Sequence, residues 1–542
     1  MSQRVDPAEF DHIVIGAGSA GCVVAARLSE DPSVSVLLVE AGSDARDWRF
    51  CIPGAQVFVK DWDLFAWDYG TEPDRSRCDR VERWRRGRIM GGSSTINGLI
   101  YATGLPHDYD LWERAGARGW SHADVEPYFR RAERCAGLPG RGTGGPMAVE
   151  VFRSPHPGNE ALLAACAEQG IPVVRDINLV RDAAVGIVQT NQSRGLRQDS
   201  ATAYLSPIRH RPNLTIRAQT QVERIHLEGR VARGVVCLRG GERSLVRARR
   251  EVVLCAGAFA SPQLLMLSGI GPAAQLRELG IEVVHDAPGV GAGLQEHPEL
   301  YLEYEFRRPT YSTAMRWPSL LRAGLDFVFA RGGRATSPAS HMLGYLRSSP
   351  VEPLPDLLVF SGPWGYLDDT VAFARDRDVY SLSPSICHPK SRGNVTLRSA
   401  DPRDPPRIVS DLLGDPDDVM RLMRGVRLLD RIAQTEPFAR DVVRRLTPAF
   451  DLDDDAALEA FIRETAGICY HASGTCRMGS DAGAVVDPQL RVQGVERLRV
   501  ADASIMPVIP SGNLHAPTVM IGERAADLIR TGLIPIGETI HA

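Results

Sequence analysis

Phe10-Asp-His-Ile-Val-Ile15 runs directly into Gly16-Ala-Gly18-Ser-Ala-Gly21, and a second β-branched run, Val34-Ser-Val-Leu-Leu-Val39, ends on Glu40. The two apolar runs read as strands and the alanine-rich stretch 22–30 between them as a helix. Strand, glycine turn, helix and strand, with an acid 19 positions beyond the third glycine, form the pattern of a dinucleotide-binding βαβ unit. Gly16 makes the tight turn, Gly18 lets the backbone approach a pyrophosphate, and Gly21 lets helix and strand pack closely. The helix N-terminus offers free N–H groups and positive dipole to phosphates, and Glu40 is placed to accept hydrogen bonds from ribose hydroxyls. The pattern serves FAD and NAD alike.

The rest of the composition is that of a globular enzyme: 542 residues, 44% hydrophobic, 24% charged, with a net charge of −4. Such a balance excludes a strongly basic nucleic-acid surface. Only Lys60 and Lys390 are lysines, so nearly all the positive charge is arginine, which reads as a bias of nucleotide composition. Ten scattered cysteines without a CxxC pair exclude a disulfide scaffold, and Cys469, His471 and Cys476 lack a second ligand pair, so no metal site is expected. No secretory leader and no membrane-spanning run is evident. The expectation is a soluble, cytoplasmic protein.

Outward from the first unit, a Gly/Ser turn lies at Gly91-Gly92-Ser93-Ser94-Thr95-Ile96-Asn97, with helical pieces at 107–112 and 124–135 and a loop at 137–146. Residues 213–256 read as a β-meander, followed by a helix starting at Ser261-Pro262. A helix over 416–434 carries Asp415 as its cap. The last eighty or so residues return to strand (497–502) and helix (517–529). One large domain built from separate segments, with a second inserted between them, accounts for this order.

Two histidines sit in polar, glycine-flanked loops: His471 in Tyr470-His-Ala-Ser-Gly-Thr475 and His515 in Ser511-Gly-Asn-Leu-His515-Ala-Pro517-Thr518. Small neighbours leave room for a ligand, and an imidazole near its ordinary pKa takes a proton at neutral pH. The other histidines, His297 and His388 among them, read as surface or core.

Taken together, the motifs resemble the glucose–methanol–choline (GMC) flavin oxidoreductases over nearly the whole chain. The stretches that carry this are the opening glycine turn with Glu40-Ala-Gly42; Trp67 to Pro73; Gly87 to Asn97; Asp108-Tyr-Asp-Leu-Trp112; Tyr204-Leu-Ser-Pro with Arg211 to Leu214; Cys255 to Gly271; Leu294-Gln-Glu-His-Pro298; Ser391 to Val395; Asp502 to Pro507; and the two histidine loops, the second leading into Gly522-Glu-Arg-Ala-Ala526. The resemblance implies an α/β fold (α+β overall). A Rossmann-like FAD domain would come from 9–150, 196–305 and 462–540, beside a substrate domain with an antiparallel sheet from 151–195 and 306–461. It implies that Gly16, Gly18, Gly21 and Glu40 hold the ADP half and that the Val222 backbone meets the adenine. Gly91, Gly92, Ser93 and Asn97 would lie along the flavin, Asp502 and Ala503 by the pyrophosphate and ribityl chain, and His515 to Thr518, with Pro517, at the isoalloxazine edge. Ile96 stands where some members attach FAD through histidine, so the FAD is expected to be non-covalent.

The resemblance further implies that His471 and His515 are the catalytic pair. His471 takes the hydroxyl proton while the carbon delivers hydride to flavin N5, and His515 orients the hydroxyl. One departure is Ala472, where proline is common. The expected substrate is a small-molecule primary alcohol, aromatic and furanic ones included, with oxygen or another electron acceptor as partner. The alternatives are a choline-type dehydrogenase, a non-redox hydroxynitrile-lyase-like enzyme and a light-driven fatty-acid decarboxylase. A choline-type site needs an acid and aromatic faces; Glu303, Glu305, Trp317 and Trp364 are the sequence candidates.

Overall fold

Strand β1 (Glu9–Ile15) is buried at every position after Glu9, as befits a strand covered on both faces. In this computed structural model, which describes residues 9–45, 47–59, 61–313, 317–367, 372–373 and 376–532, β1 is followed by helix α1 (Ser19–Leu28) and the parallel strand β2 (Val36–Val39), with His12 opposite Val36. The helix begins three residues before the expected Cys22, inside the glycine turn, where the Cys22 N–H already bonds the Gly18 carbonyl at 3.2 Å. The turn tolerates no side chains at two of its glycines. A Cβ on Gly16 would stand 2.6 Å from the Cys255 carbonyl oxygen, and one on Gly21 would stand 1.9 Å from that of Gly16.

The sheet grows outward from β1 on both sides. Strand β3 (Leu214–Arg217) lies parallel beyond β2, with Leu214 opposite Val36. Strands β4 (Gln221–Glu228) and β5 (Val231–Arg239) form an antiparallel ribbon that ends in the long strand β6 (Glu242–Leu254). The first half of β6 closes the ribbon. Its second half runs parallel to β1, with Leu254 opposite Ile15, and takes β7 (Leu498–Val500) on its other side. The parallel part therefore has the order β3-β2-β1-β6-β7, and the glycine turn leaves β1 where the order reverses direction.

Two expectations need correction. The 213–256 segment is not one meander, because its first strand serves the parallel edge beside β2; alternation within a strand does not name its partner. The helix after β6, α2 (Gly257–Leu267), starts four residues before Ser261, so Pro262 lies inside it. A proline there cannot donate to the Ala258 carbonyl. The Thr475 hydroxyl supplies that bond instead, at 2.6 Å.

A second sheet of eight strands is antiparallel, running in the order Val442–Thr447, Leu302–Phe306, Val379–Ile386, Leu357–Gly362, Met342–Leu346, Ala184–Ile187, with two short strands, Pro298–Glu299 and Gly467–Ile468, joining it. Helix α3 (Pro416–Ala433) packs on it through Val419, Leu422, Val426 and Leu429, and the Asp415 carboxylate accepts the Asp417 N–H as the expected cap. Helix α4 (His515–Thr531) lies against α1. The short strand 298–299 leads the chain into the second sheet and 467–468 leads it out again, and the His471 loop follows directly.

Candidate active site

A cavity of about 1420 Å³ lies between the two sheets. Its walls include Gly16, Gly18 and Ser19 of the glycine turn, Glu40, Gly92, Ser93, Asn97, Val222, Asp502, Ala503, His471, Asn513, His515 and Thr518. Residues expected to act together, though drawn from positions nearly 500 apart, thus face one space. Three of the sequence candidates stand behind the wall. Gly21 packs on Gly16, the Gly91 N–H bonds the Ala17 carbonyl at 2.8 Å, and Pro517 is buried in the first turn of α4.

The geometry around His471 is set by residues that sequence reasoning passed over. The His471 and His297 Nδ1 atoms are 2.9 Å apart, and His297 Nε2 lies 3.1 Å from the Cys387 carbonyl oxygen. A carbonyl only accepts, so His297 carries its proton on Nε2 and its Nδ1 is a lone pair. His471 must then donate from Nδ1, which leaves its Nε2 unprotonated. That atom faces Asn513, whose Nδ2 donates to it at 3.1 Å. The Glu296 carboxylate oxygen Oε1 accepts the N–H groups of both His297 and His471 at 2.8 Å and ties the two loops together. Tyr470 adopts a left-handed conformation, φ 63°, and Arg86 donates to its carbonyl at 2.8 Å.

Both imidazoles depart from the ordinary pKa assumed above. Burial, then the neighbouring His297 ring and the Arg86 guanidinium, hold His471 well below 6.5. Burial, then Arg197, push His515 down to about 4. The sequence expectation of imidazoles near their free value is corrected accordingly: both are neutral bases. His515 Nδ1 sits 3.1 Å from Ser19 Oγ, while its Nε2 is buried without a partner among the described residues. Asn513 Oδ1 is likewise buried and unpaired among the described residues. Two open polar atoms on one cavity wall are a place for a ligand hydroxyl.

The loop that presents Asn513 and His515 is anchored at Ser511. Its N–H and hydroxyl both donate to the buried Asp108 carboxylate, at 2.8 and 2.6 Å, which also accepts the Leu105 N–H and lies 2.9 Å from His388 Nε2. His388 is therefore neither idle surface nor core. Among the described residues, His107, Asp108 and His388 are grouped with potential ligand atoms within 4.8 Å of one another, but the Asp108 oxygens are already taken up by these bonds. Cys469, part of the dismissed metal group, turns its thiol to Glu299 Oε2 at 3.5 Å.

At the other end, the Glu40 carboxylate accepts the Ala17 and Gly42 N–H groups, both at 2.8 Å, and burial pushes it up to about 7. Glu40 thus braces the glycine turn as well as facing the cavity. A Cβ on Gly18 would have its nearest neighbour 4.0 Å away, whereas one on Gly92, at φ 55°, would stand 2.7 Å from the Gly18 Cα. The two glycine turns therefore touch, and Gly18 is open toward the cavity. Ser93 Oγ accepts the Gly87 N–H at 3.1 Å. Asn97 Oδ1 accepts from Arg197 at 2.6 Å, a buried guanidinium that also holds Phe50, Ser94 and Gln56. Asp502 accepts the Gly257 N–H, the Ser261 hydroxyl and the Ser504 N–H, fixing the N-terminus of α2 beside the cavity.

The acid at the substrate-domain wall is also different from those expected. Glu303 and Glu305 lie on the strand Leu302–Phe306 and do not line the cavity, and Glu305 pairs with Arg444 at 2.8 Å. Glu299 lines it instead, with Tyr301, Tyr311 and Trp364. Burial raises the Glu299 carboxyl above its usual value. The Trp317 side chain lies outside the described residues.

The chain matches the models of the GMC oxidoreductases, over residues 10–299 for the N-terminal and 389–522 for the C-terminal part. It is 40% identical over 534 residues to mitochondrial choline dehydrogenase of Mus musculus, covering 96% of this chain and 89% of that one. It is 39% identical over 530 residues to an oxygen-dependent choline dehydrogenase of Burkholderia cenocepacia, covering 96% and 94%. Among solved structures, pyridoxine 4-oxidase from Mesorbium loti is similar with a TM-score of 0.87 at 31% identity, over 96% of this chain and 99% of that one. No described helix is long and apolar enough to cross a membrane.

Proposed function

The chain belongs to the GMC oxidoreductase family, and on that premise we propose that it oxidises a primary alcohol to the aldehyde, with His471 as the base. The cofactor is FAD, which when bound supplies the two-electron acceptor for the hydride. The cavity suits it: Gly18 is open to a pyrophosphate, Gly16 and Gly21 exclude side chains beneath it, and the N-terminus of α1 faces the same space. Ile96, on the cavity wall, offers no nucleophile for attachment, which favours non-covalent binding.

The observation that carries the reading is the 2.9 Å contact between the Nδ1 atoms of His471 and His297, with His297 Nε2 on the Cys387 carbonyl, which assigns the lone pair to His471 Nε2. An alcohol hydroxyl displaces the Asn513 amide from that lone pair and gives up its proton there. His515 Nε2, without a protein partner among the described residues, orients the hydroxyl oxygen while its proton passes to His471. In this reading the segments 9–150, 196–305 and 462–540 bind FAD, and 151–195 with 306–461 supply the substrate wall, to which Glu299 and Tyr301 at the end of 196–305 contribute.

A second, finer reading concerns the substrate. The half-buried Glu299 carboxyl among Tyr301, Tyr311 and Trp364 favours an alcohol bearing a cationic group, because the cation would keep Glu299 ionised and lie on aromatic faces. The choline dehydrogenase relatives support the same class.

The experiment is the visible spectrum of the purified protein under anaerobic conditions, before and after addition of cationic and neutral primary alcohols. Bleaching of the flavin in the dark supports alcohol oxidation, and preference for the cationic set supports the role of Glu299. A flavin that no alcohol bleaches removes the proposal in favour of the lyase or light-driven alternatives.

A further inference from the structure

The helix Trp317–Ala330, WPSLLRAGLDFVFA, contains two charged residues in 14. One face, with Leu320, Ala323, Gly324 and Phe327, lines the cavity. The other is turned outward, with Leu321 exposed at 59%, Leu325 at 49%, Val328 at 63% and Phe329 at 83%. At helical spacing these four fall within an arc of about 100°. Scattered exposed apolar residues need no explanation, but four on one helix face form a contiguous patch. A helix apolar on both faces is normally buried on both, and here the outer face is exposed.

The charge around the helix indicates what covers the outer one. Residues 307–334 hold six arginines and a single acid, Asp326, in a chain whose net charge is −4. Arg307, Arg308, Arg322 and Arg331 are exposed. Arg308 pairs with Asp441, while Arg322 stands 3.9 Å from Asp326, beside the apolar arc. An apolar helix face bordered by arginine is the pattern of a segment lying in the plane of an anionic lipid surface.

We propose that the outer face of the helix Trp317–Ala330 docks the protein onto an anionic membrane surface. The apolar arc enters the headgroup boundary, and the flanking arginines meet the lipid phosphates. Because the inner face of the same helix lines the cavity, docking holds the cavity wall at the lipid surface.

The test is sedimentation of the FAD-loaded protein with vesicles of phosphatidylcholine, with and without phosphatidylglycerol, at low and high salt. The expected result is binding to the anionic vesicles only, weakened by salt, and reduced at least about tenfold in the double substitution Leu321→Asp/Phe329→Asp. Neither residue lines the cavity, so that variant keeps its flavin spectrum and its turnover with a soluble dye acceptor. Three results would overturn the proposal: no binding of the unsubstituted protein to anionic vesicles, binding that the double substitution leaves intact, or a stable dimer in solution that the same substitution splits, which would assign the face to a second copy of the chain.

Discussion

The Nδ1 atoms of His297 and His471 face each other at 2.9 Å, with their rings perpendicular. The Cys387 carbonyl, 3.1 Å from His297 Nε2, assigns the His297 proton to that nitrogen, and in the proposed mechanism this contact selects Nε2 of His471 as the base, with His297 acting through it as a positioning residue.

Replacing His297 by phenylalanine removes the acceptor for the His471 Nδ1 proton and frees the ring to adopt either tautomer. The expected outcome is a loss of about tenfold or more in kcat with little change in KM. His297→Asn, which can offer a carbonyl oxygen to that proton, is expected to restore part of it. Steady-state kinetics of the two variants checks this; equal losses in both would assign His297 a packing role only.

The depressed pKa of His471 sets the pH dependence. A base whose folded-state pKa lies below 6.5 stays unprotonated as pH falls through 6.5 and loses function only lower down. The acid limb of kcat/KM is therefore expected below pH 6.5. An acid limb centred at 6.5 or above would show that the buried imidazole titrates as a free one.

Asp108 is buried and accepts from Leu105 and Ser511. Asp108→Asn turns one acceptor into a donor facing donors, and is expected to cost about 1–3 kcal/mol of stability and to loosen the loop carrying Asn513 and His515. Denaturant unfolding measures the first effect, and a fall in kcat that exceeds any loss of flavin measures the second.

Gly92→Ala places a methyl 2.7 Å from the Gly18 Cα at a φ that favours glycine. The two turns must separate. The flavin-to-protein absorbance ratio of the purified variant is expected to fall at least about tenfold, with retained helix content by circular dichroism.

What could be read in the sequence follows from how local each signal is. The run from Phe10 to Glu40 is complete in itself, so strand, turn, helix and strand were legible to within a few residues. His471 and His515 were visible through the small residues around them and through the family motifs. His297 was read only as surface or core, and Glu296 and Asn513 were not singled out although each lies in a quoted stretch, because their contacts exist only once distant segments such as 294–298 and 469–475 pair. Glu303 and Glu305 were named as acids and Glu299 was not, for a related reason. Which residues of a short strand face the cavity depends on where Pro298–Glu299 joins the second sheet, and that register is tertiary.

The central claim is that His471 accepts the hydroxyl proton during alcohol oxidation. The most direct measurement is the rate of anaerobic flavin reduction after rapid mixing with a bleaching alcohol, comparing the unsubstituted protein with His471→Ala at equal flavin content. The account predicts a fall of about 10²–10⁴-fold with the flavin still bound. Reduction of His471→Ala at the unsubstituted rate would contradict it.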